Sequence, residues 1–228
     1  MMYMTTAERI QAAKEKTKRV LDHLLFLLAL HASNDIIVYS DTLSSQIRYL
    51  HAANAFEVFR AGLHQFEIVR LCALWDGAGD DKENIPTIIN LINRPEVIEA
   101  LAHETLAQRS GHDEEFGQEQ AQKARDELGR AIADARAILR SPKLLSIMTH
   151  RHKHLAHSLT ETMREKEVGP IPPMKYGDER EILLASLPIV AALYCWVNGT
   201  SFSFANSQEI ARNNAEALWK RCTFDIQR

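Results

Sequence analysis

The chain has few breakers, with 9 glycines and 7 prolines in 228 residues. That is too little turn-forming material for an all-β fold, and it points to long helices. Cysteine is scarce too. Cys72, Cys195 and Cys222 are odd in number, far apart and without a C-x-x-C spacing, which is the pattern of reduced thiols in a cytoplasmic protein rather than of a disulfide framework. No long apolar run is present. The most apolar stretch, Leu24 to Leu30, is far shorter than the roughly 20 residues that span a bilayer, so no membrane segment is expected. The polar, Lys-rich stretch before that run does not fit a signal peptide, and the sequon Asn198-Gly199-Thr200 therefore reads as chance. Excess positive charge is also missing. With a net charge of -3 and a pI near 6.4, the surface as a whole does not attract polyanions, and contact with RNA needs a local basic patch.

What is present is an ordinary globular composition, 46% hydrophobic and 25% charged, at a length that one hydrophobic core can support. A single all-α domain over residues 1–228 is expected. Thr5-Thr6-Ala7-Glu8 fits a capping box that starts a helix running to about His31, where Ser33-Asn34-Asp35 is expected to break it. From Asp41 to Trp75, Leu43, Ile47, Leu50, Val58, Ile68, Cys72 and Trp75 recur at helical spacing. A second row, Phe56, Phe59, Leu63 and Phe66, lies on a neighbouring face and is expected in the core. That pattern predicts one long central helix. Pro86 and Pro95 suit first-turn positions of two peripheral helices, Asn84 to Asn93 and Pro95 to about Ser110. Glu114 to Leu139 reads as a half-exposed helix, and Ser141-Pro142 as the cap and first residue of the next. Gly169-Pro170-Ile171-Pro172-Pro173 makes residues 160–178 an irregular connection, before final helices at about Asp178 to Phe204 and Ser207 to Phe224.

The strongest anomaly is Thr149 to Ser158, which holds His150, Arg151, His152, Lys153, His154 and His157. Four of the ten histidines fall in ten residues. On a regular helix His150, His154 and His157 share one face. Imidazole with a nearby guanidinium is a combination that cleaves RNA without metal. One imidazole takes the proton of the ribose 2′-hydroxyl or protonates the leaving 5′ oxygen, while the guanidinium stabilises charge on the phosphorane. An unperturbed histidine titrates near pH 6.5, so acid and base forms are both available at neutral pH.

Arg151 and His157, with the polar His152 after the arginine, match the R-x(4–6)-H motif, and the chain has one such match. The run R-H-K-H-L-A-H-S resembles the abortive-infection type U branch of the HEPN superfamily (higher eukaryotes and prokaryotes nucleotide-binding domains). The end of the long helix, Arg70-Leu71-Cys72-Ala73-Leu74-Trp75-Asp76, followed by a polar loop and a short helix, is similar to that branch too. The resemblance spans most of the chain, and the 151–158 stretch is its sharp part. It implies a HEPN-like helical bundle that forms a homodimer, with two motifs facing each other in one metal-independent endoribonuclease site that needs no cofactor. Arg151 would hold and polarise the phosphate, His157 would be the acid/base, and His152, Lys153 and His154 would touch RNA. The implied role is a toxin or antiphage-defence effector, with an antitoxin protein as a further partner. Some relatives continue as H-x-Y, where the tyrosine accepts a nucleotide; this chain has Leu159 there and lacks that hydroxyl.

Three other readings stand beside these. The same surface could serve a noncatalytic module that binds a protein or a nucleotide. His150, His154 and His157 could bind a metal, although no acid lies in the same turns. Arg70 and Asp76 fit a structural ion pair or cap near the helix end, with a supporting role for the site as the alternative. On a straight helix, residues six apart diverge by about 120°. Either Arg151 reaches around to His157, or the helix distorts.

Overall fold

A computed structural model describes residues 4–47, 51–109, 113–157 and 159–225. Helices α1 (Thr6–Ile37), α2 (His51–Trp75), α3 (Ile85–Ile92), α4 (Pro95–Arg109) and α5 (Glu114–Leu139) make up the first part. Helices α6 (Pro142–His150), α7 (Met163–Val168), α8 (Asp178–Asn198) and α9 (Phe204–Trp219) complete it, and no strand occurs among the described residues. The fold is all-α. Leu50, Ser110 and Ser158 lie outside the described residues.

The caps read from the sequence set several boundaries. Thr5 accepts from the Glu8 amide while Glu8 reaches back to the Thr5 amide, so both halves of the capping box form. Asn84 caps α3 through the Thr87 amide, with Pro86 in the first turn, and Ser141 caps α6 through the Leu144 amide, with Pro142 as its first residue. At the far end of α8, Gly199 sits at φ 72°, a conformation that side chains with a Cβ resist, and the helix stops there rather than near Phe204. Residues 160–178 are not wholly irregular, because Thr162 and Glu165 form a second capping box that starts α7.

Four expectations fail for physical reasons. Ser33-Asn34-Asp35 does not end α1, which runs on to Ile37; buried Asn34 donates its side-chain amide to Glu67 of α2 at 2.6 Å instead of capping its own backbone. The segment from Asp41 is not one helix, since a single 3₁₀ turn, Ser44–Gln46, precedes α2. Nor is α2 the centre. Its buried face carries Ile68, Leu71, Cys72 and Trp75, whereas Phe59 and Phe66 are 46% and 44% exposed and only Phe56 of the aromatic row is buried. The central element is α1, which packs against α2, α3, α4, α8 and α9. Helix α3, expected at the periphery, buries Ile85, Ile88, Ile89, Leu91 and Ile92. A helix with so many apolar positions and one exposed residue, Asn90, belongs inside.

One main core joins α1, the second half of α2, α3, α5 and α8. A smaller cluster holds Ile37, Val38, Leu43, Ile47 and Phe56. The Trp75 indole donates to Ser186 of α8 at 3.0 Å and fixes the C-terminal end of α2, next to which the histidine-rich segment lies. By length and composition α1 and α8 are each apolar enough to cross a membrane, which continuous runs do not reveal because their apolar residues are spaced out. Both are core helices here, with 50% and 44% of their most apolar stretches buried in the bundle.

Candidate functional site

The Ser141 cap launches α6, whose Leu144 and Ile147 enter the core and fix the direction of the chain. After His150 the helix widens into one π turn over Arg151–Ala156, and His157 leaves it in extended conformation at φ -145°, ψ 144°. The helix therefore does distort. A π turn bonds i to i+5, so Ala156 comes to lie one turn beyond Arg151 and His157 is the next residue. Leu155 anchors the turn on the main core, and the Leu159 amide closes it by donating to the Lys153 carbonyl at 3.2 Å.

Arg151 donates from Nη1 to Asp76 Oδ1 at 2.8 Å, and the two side chains keep 19% and 32% of their exposure. Asp76 is its hydrogen-bond partner among the described residues, leaving further guanidinium donors for a ligand. Asp76 follows α2 directly, and its carbonyl accepts from Asn84, the cap of α3, at 2.9 Å. Two helix ends thus hold the arginine in place. Arg70, the other polar residue near that end, does not pair with Asp76. Its guanidinium lies 5.2 Å from the centre of the Phe26 ring.

His152 is half-buried, and its pKa is lowered by that burial and by the charge of Arg151, with Asp76 acting the other way. His157 also adds to the lowering, so His152 feels both residues of the motif. His157 itself is exposed. Beneath the arginine, burial pushes the Cys72 thiol up to about 12 and makes it inert. Arg151 and Asp76 thus form a pair, with His152 close enough to feel both of them and His157.

The other two candidates are held elsewhere in the turn. Lys153 donates to Glu165 of α7 at 3.0 Å, and Glu165 is held as a carboxylate first by the Thr162 amide and then by this lysine. His154 is exposed, and its ring centre lies 5.0 Å from that of His150. The His150 pKa is lowered by burial, then by His154 and His64. His150, His154 and His157 do not present one face, because His157 has left the helix. Among the described residues no group of three His, Cys, Asp or Glu side chains is arranged to hold a metal ion.

The family model described as AbiU2, a HEPN family, matches residues 10–218. The chain belongs to the AbiU2 family. That makes it a HEPN protein of the abortive-infection type. No curated protein and no solved structure matches it. The match covers α2, Asp76 and the whole Arg151 turn, so this AbiU2 chain carries its motif inside the matched region.

Sequence reasoning missed a polar network that starts behind His150. Buried Glu67 accepts from His31 Nδ1 and from Asn34, each at 2.6 Å. Glu179, fully buried at the start of α8, accepts from the Tyr39 hydroxyl at 2.6 Å and lies 3.6 Å from His64 Nε2. Burial works to raise the Glu179 pKa, but His64 and Tyr39 hold the carboxylate down at about 2. The His64 ring stacks on Tyr176 at 5.0 Å. The partners are 33 to 140 residues apart in sequence, so no local pattern announces them.

Proposed function

We propose that the protein is a metal-independent endoribonuclease of the toxin or antiphage-defence type, acting on cellular RNA in the cytoplasm as a homodimer. The observation that supports this is the Arg151 turn: a half-exposed guanidinium fixed through one nitrogen by Asp76, with an exposed imidazole one turn on. Arg151 binds the scissile phosphate with its remaining donors and stabilises the charge that builds on its equatorial oxygens. His157 serves as the acid/base.

The reaction needs two proton transfers. One His157 imidazole removes the 2′-hydroxyl proton, the 2′ oxygen attacks phosphorus, and the bond from phosphorus to the 5′ oxygen breaks. The His157 imidazolium of a second copy protonates that leaving oxygen. The products are a 2′,3′-cyclic phosphate and a 5′-hydroxyl. A composite site also explains why so short a motif suffices, since each copy supplies one arginine and one histidine. Next to His157, the exposed apolar side chains Leu159, Met163 and Val168, at 42%, 72% and 54%, offer the second copy a surface beside the site. His152 and His154 contact the RNA chain on either side, and Lys153 exchanges Glu165 for a backbone phosphate.

The test is purified protein incubated with RNA in the presence of a chelator. Cleavage with cyclic-phosphate ends that disappears in Arg151→Ala and in His157→Ala is the expected result. Cleavage that survives both substitutions, or none by the unaltered dimer on any cellular RNA, overturns the reading. A noncatalytic binding module is the second class, and it predicts RNA or protein capture without product.

A further inference from the structure

The C-terminal half of α1, the start of α8 and the length of α9 wall an open cleft of about 420 Å³. That is within the range of small-molecule sites, roughly 300–1,000 Å³. Its lining residues are distinct from those of the Arg151 turn. Leu28, Ile36 and Leu184 give it apolar wall, while Arg180 and Arg212 bring two guanidinium groups to it. Among the described residues neither arginine has a carboxylate within ion-pair distance, whereas Lys220 at the rim is paired with Glu216 at 2.8 Å. Asp35 and Glu216 line the same cleft, but neither forms an ion pair with Arg180 or Arg212, so both guanidinium forks stay open to an anion.

His31 supplies an independent observation. It is 7% exposed and lines the same cleft, and its two ring nitrogens have different fates. Nδ1 is bonded to Glu67 at 2.6 Å, on the interior side. Nε2 is buried with no hydrogen-bond partner and lies 3.8 Å from Asp35 Oδ1, which belongs to the cleft wall. With Nδ1–H given to the Glu67 carboxylate, Nε2 accepts in the neutral ring and donates in the protonated one; either way a buried polar atom left unpaired is costly, and a polar atom in the cleft would remove that cost.

We propose that this cleft binds a small molecule that carries an oxyanion on an apolar body. Arg180 and Arg212 hold the phosphate or carboxylate, whose paired oxygens match the guanidinium fork. The body lies on Leu28, Ile36 and Leu184, and His31 Nε2 meets a polar atom of the ligand from the floor. The site stands independently of whether the Arg151 turn cuts RNA.

Titration calorimetry on the full chain with phenyl phosphate, benzoate and benzyl alcohol tests it. Saturable binding is expected from at least one of the two anions, about tenfold or more tighter than from the neutral alcohol. Phenyl phosphate alone binding assigns a phosphate head group to the natural ligand, and benzoate alone a carboxylate. Arg180→Ala and Arg212→Glu, both at exposed positions that leave the fold intact, each weaken binding about tenfold or more. Arg151→Ala leaves it unchanged. Three results would overturn the proposal: no saturable binding of either anion, equal binding of the alcohol, or binding that survives the double Arg180/Arg212 variant or is lost in Arg151→Ala.

Discussion

Two polar regions lie along α2, and they are built on opposite rules. In the buried network the carboxylates of Glu67 and Glu179 are 1% and 0% exposed; Glu67 accepts short hydrogen bonds from His31 and Asn34 of α1, and Glu179 one from Tyr39 just beyond it. Around Arg151 the two cations keep part of their exposure, and each is tied to one carboxylate: Arg151 to Asp76, Lys153 to the buried Glu165. A buried network resists the loss of a member, because any loss strands a buried charge. Half-tied groups at the surface add little to stability and hold donors ready for something else. The contrast separates a joint of the scaffold from a candidate site.

The largest expected effect breaks the comparison on the functional side. His157→Ala should lower the rate of RNA cleavage by about 10² to 10⁴, the usual contribution of a positioned acid or base, and Arg151→Ala should do at least as much harm. Both variants should melt close to the parent, since a half-exposed ion pair is worth about 1 kcal/mol or less. Parallel cleavage assays and thermal melts read the two quantities, and a large loss of stability in His157→Ala would make the motif part of the scaffold instead. The next effect is the mirror image. Glu67→Ala removes the shared partner of His31 and Asn34 and should cost about 3–5 kcal/mol in denaturant unfolding, with the cleavage rate per folded molecule unchanged.

The same contrast marks what could be read along the chain. Caps were legible because a few adjacent residues determine them, as Thr5 with Glu8 and Ser141 with Pro142 do. The choice of which α2 face is buried was not. Phe59 and Phe66 lie on one helical stripe and Ile68 and Cys72 on another; only the position of α1, α6 and α8 decides between them. Asn34 looked like a helix end because its side chain competes with the backbone, and the competition vanished once Glu67 took that side chain. The Arg151 segment was legible as an anomaly, and the six-residue spacing posed a geometric problem; the helix does distort there, into a π turn after which His157 leaves in extended conformation. Asp76 was visible as an acid at a helix end, but its pairing with Arg151, 75 residues on, needed the fold.

Asp76 sharpens the comparison from within the site. Asp76→Asn keeps a hydrogen-bond acceptor for Arg151 but removes the charge that fixes its direction, so the guanidinium stays present and less well placed. Cleavage should fall about tenfold, less than for loss of Arg151 itself, because the residue acts through the arginine and not on the RNA. The fall should appear in kcat more than in KM. A rate equal to that of Arg151→Ala would instead place Asp76 in direct contact with the reaction.

The smallest effect concerns two histidines of α1 that the bundle treats in opposite ways. His31 loses solvation on burial, but Glu67 and then Asp35 outweigh that loss and hold its pKa above the ordinary value. Its contribution to stability is present below about pH 6.5 and fades as pH rises through the folded-state pKa. His23 has no such carboxylate. Burial and then the charge of Arg70 lower its pKa from 6.5 to about 4, so between those values the unfolded chain binds a proton that the folded chain refuses. Folding stability should therefore drop as pH falls from 6.5 towards 4, and His23→Gln should flatten that part of the curve. Glu179, held down at about 2, loses its own contribution only at lower pH and leaves the window clear. Melting temperatures measured across pH 4 to 7 read the slope directly. An unchanged slope in His23→Gln would assign the proton uptake to another histidine, and a slope that vanished in Arg70→Ala as well would show the arginine's charge to be the larger of the two causes.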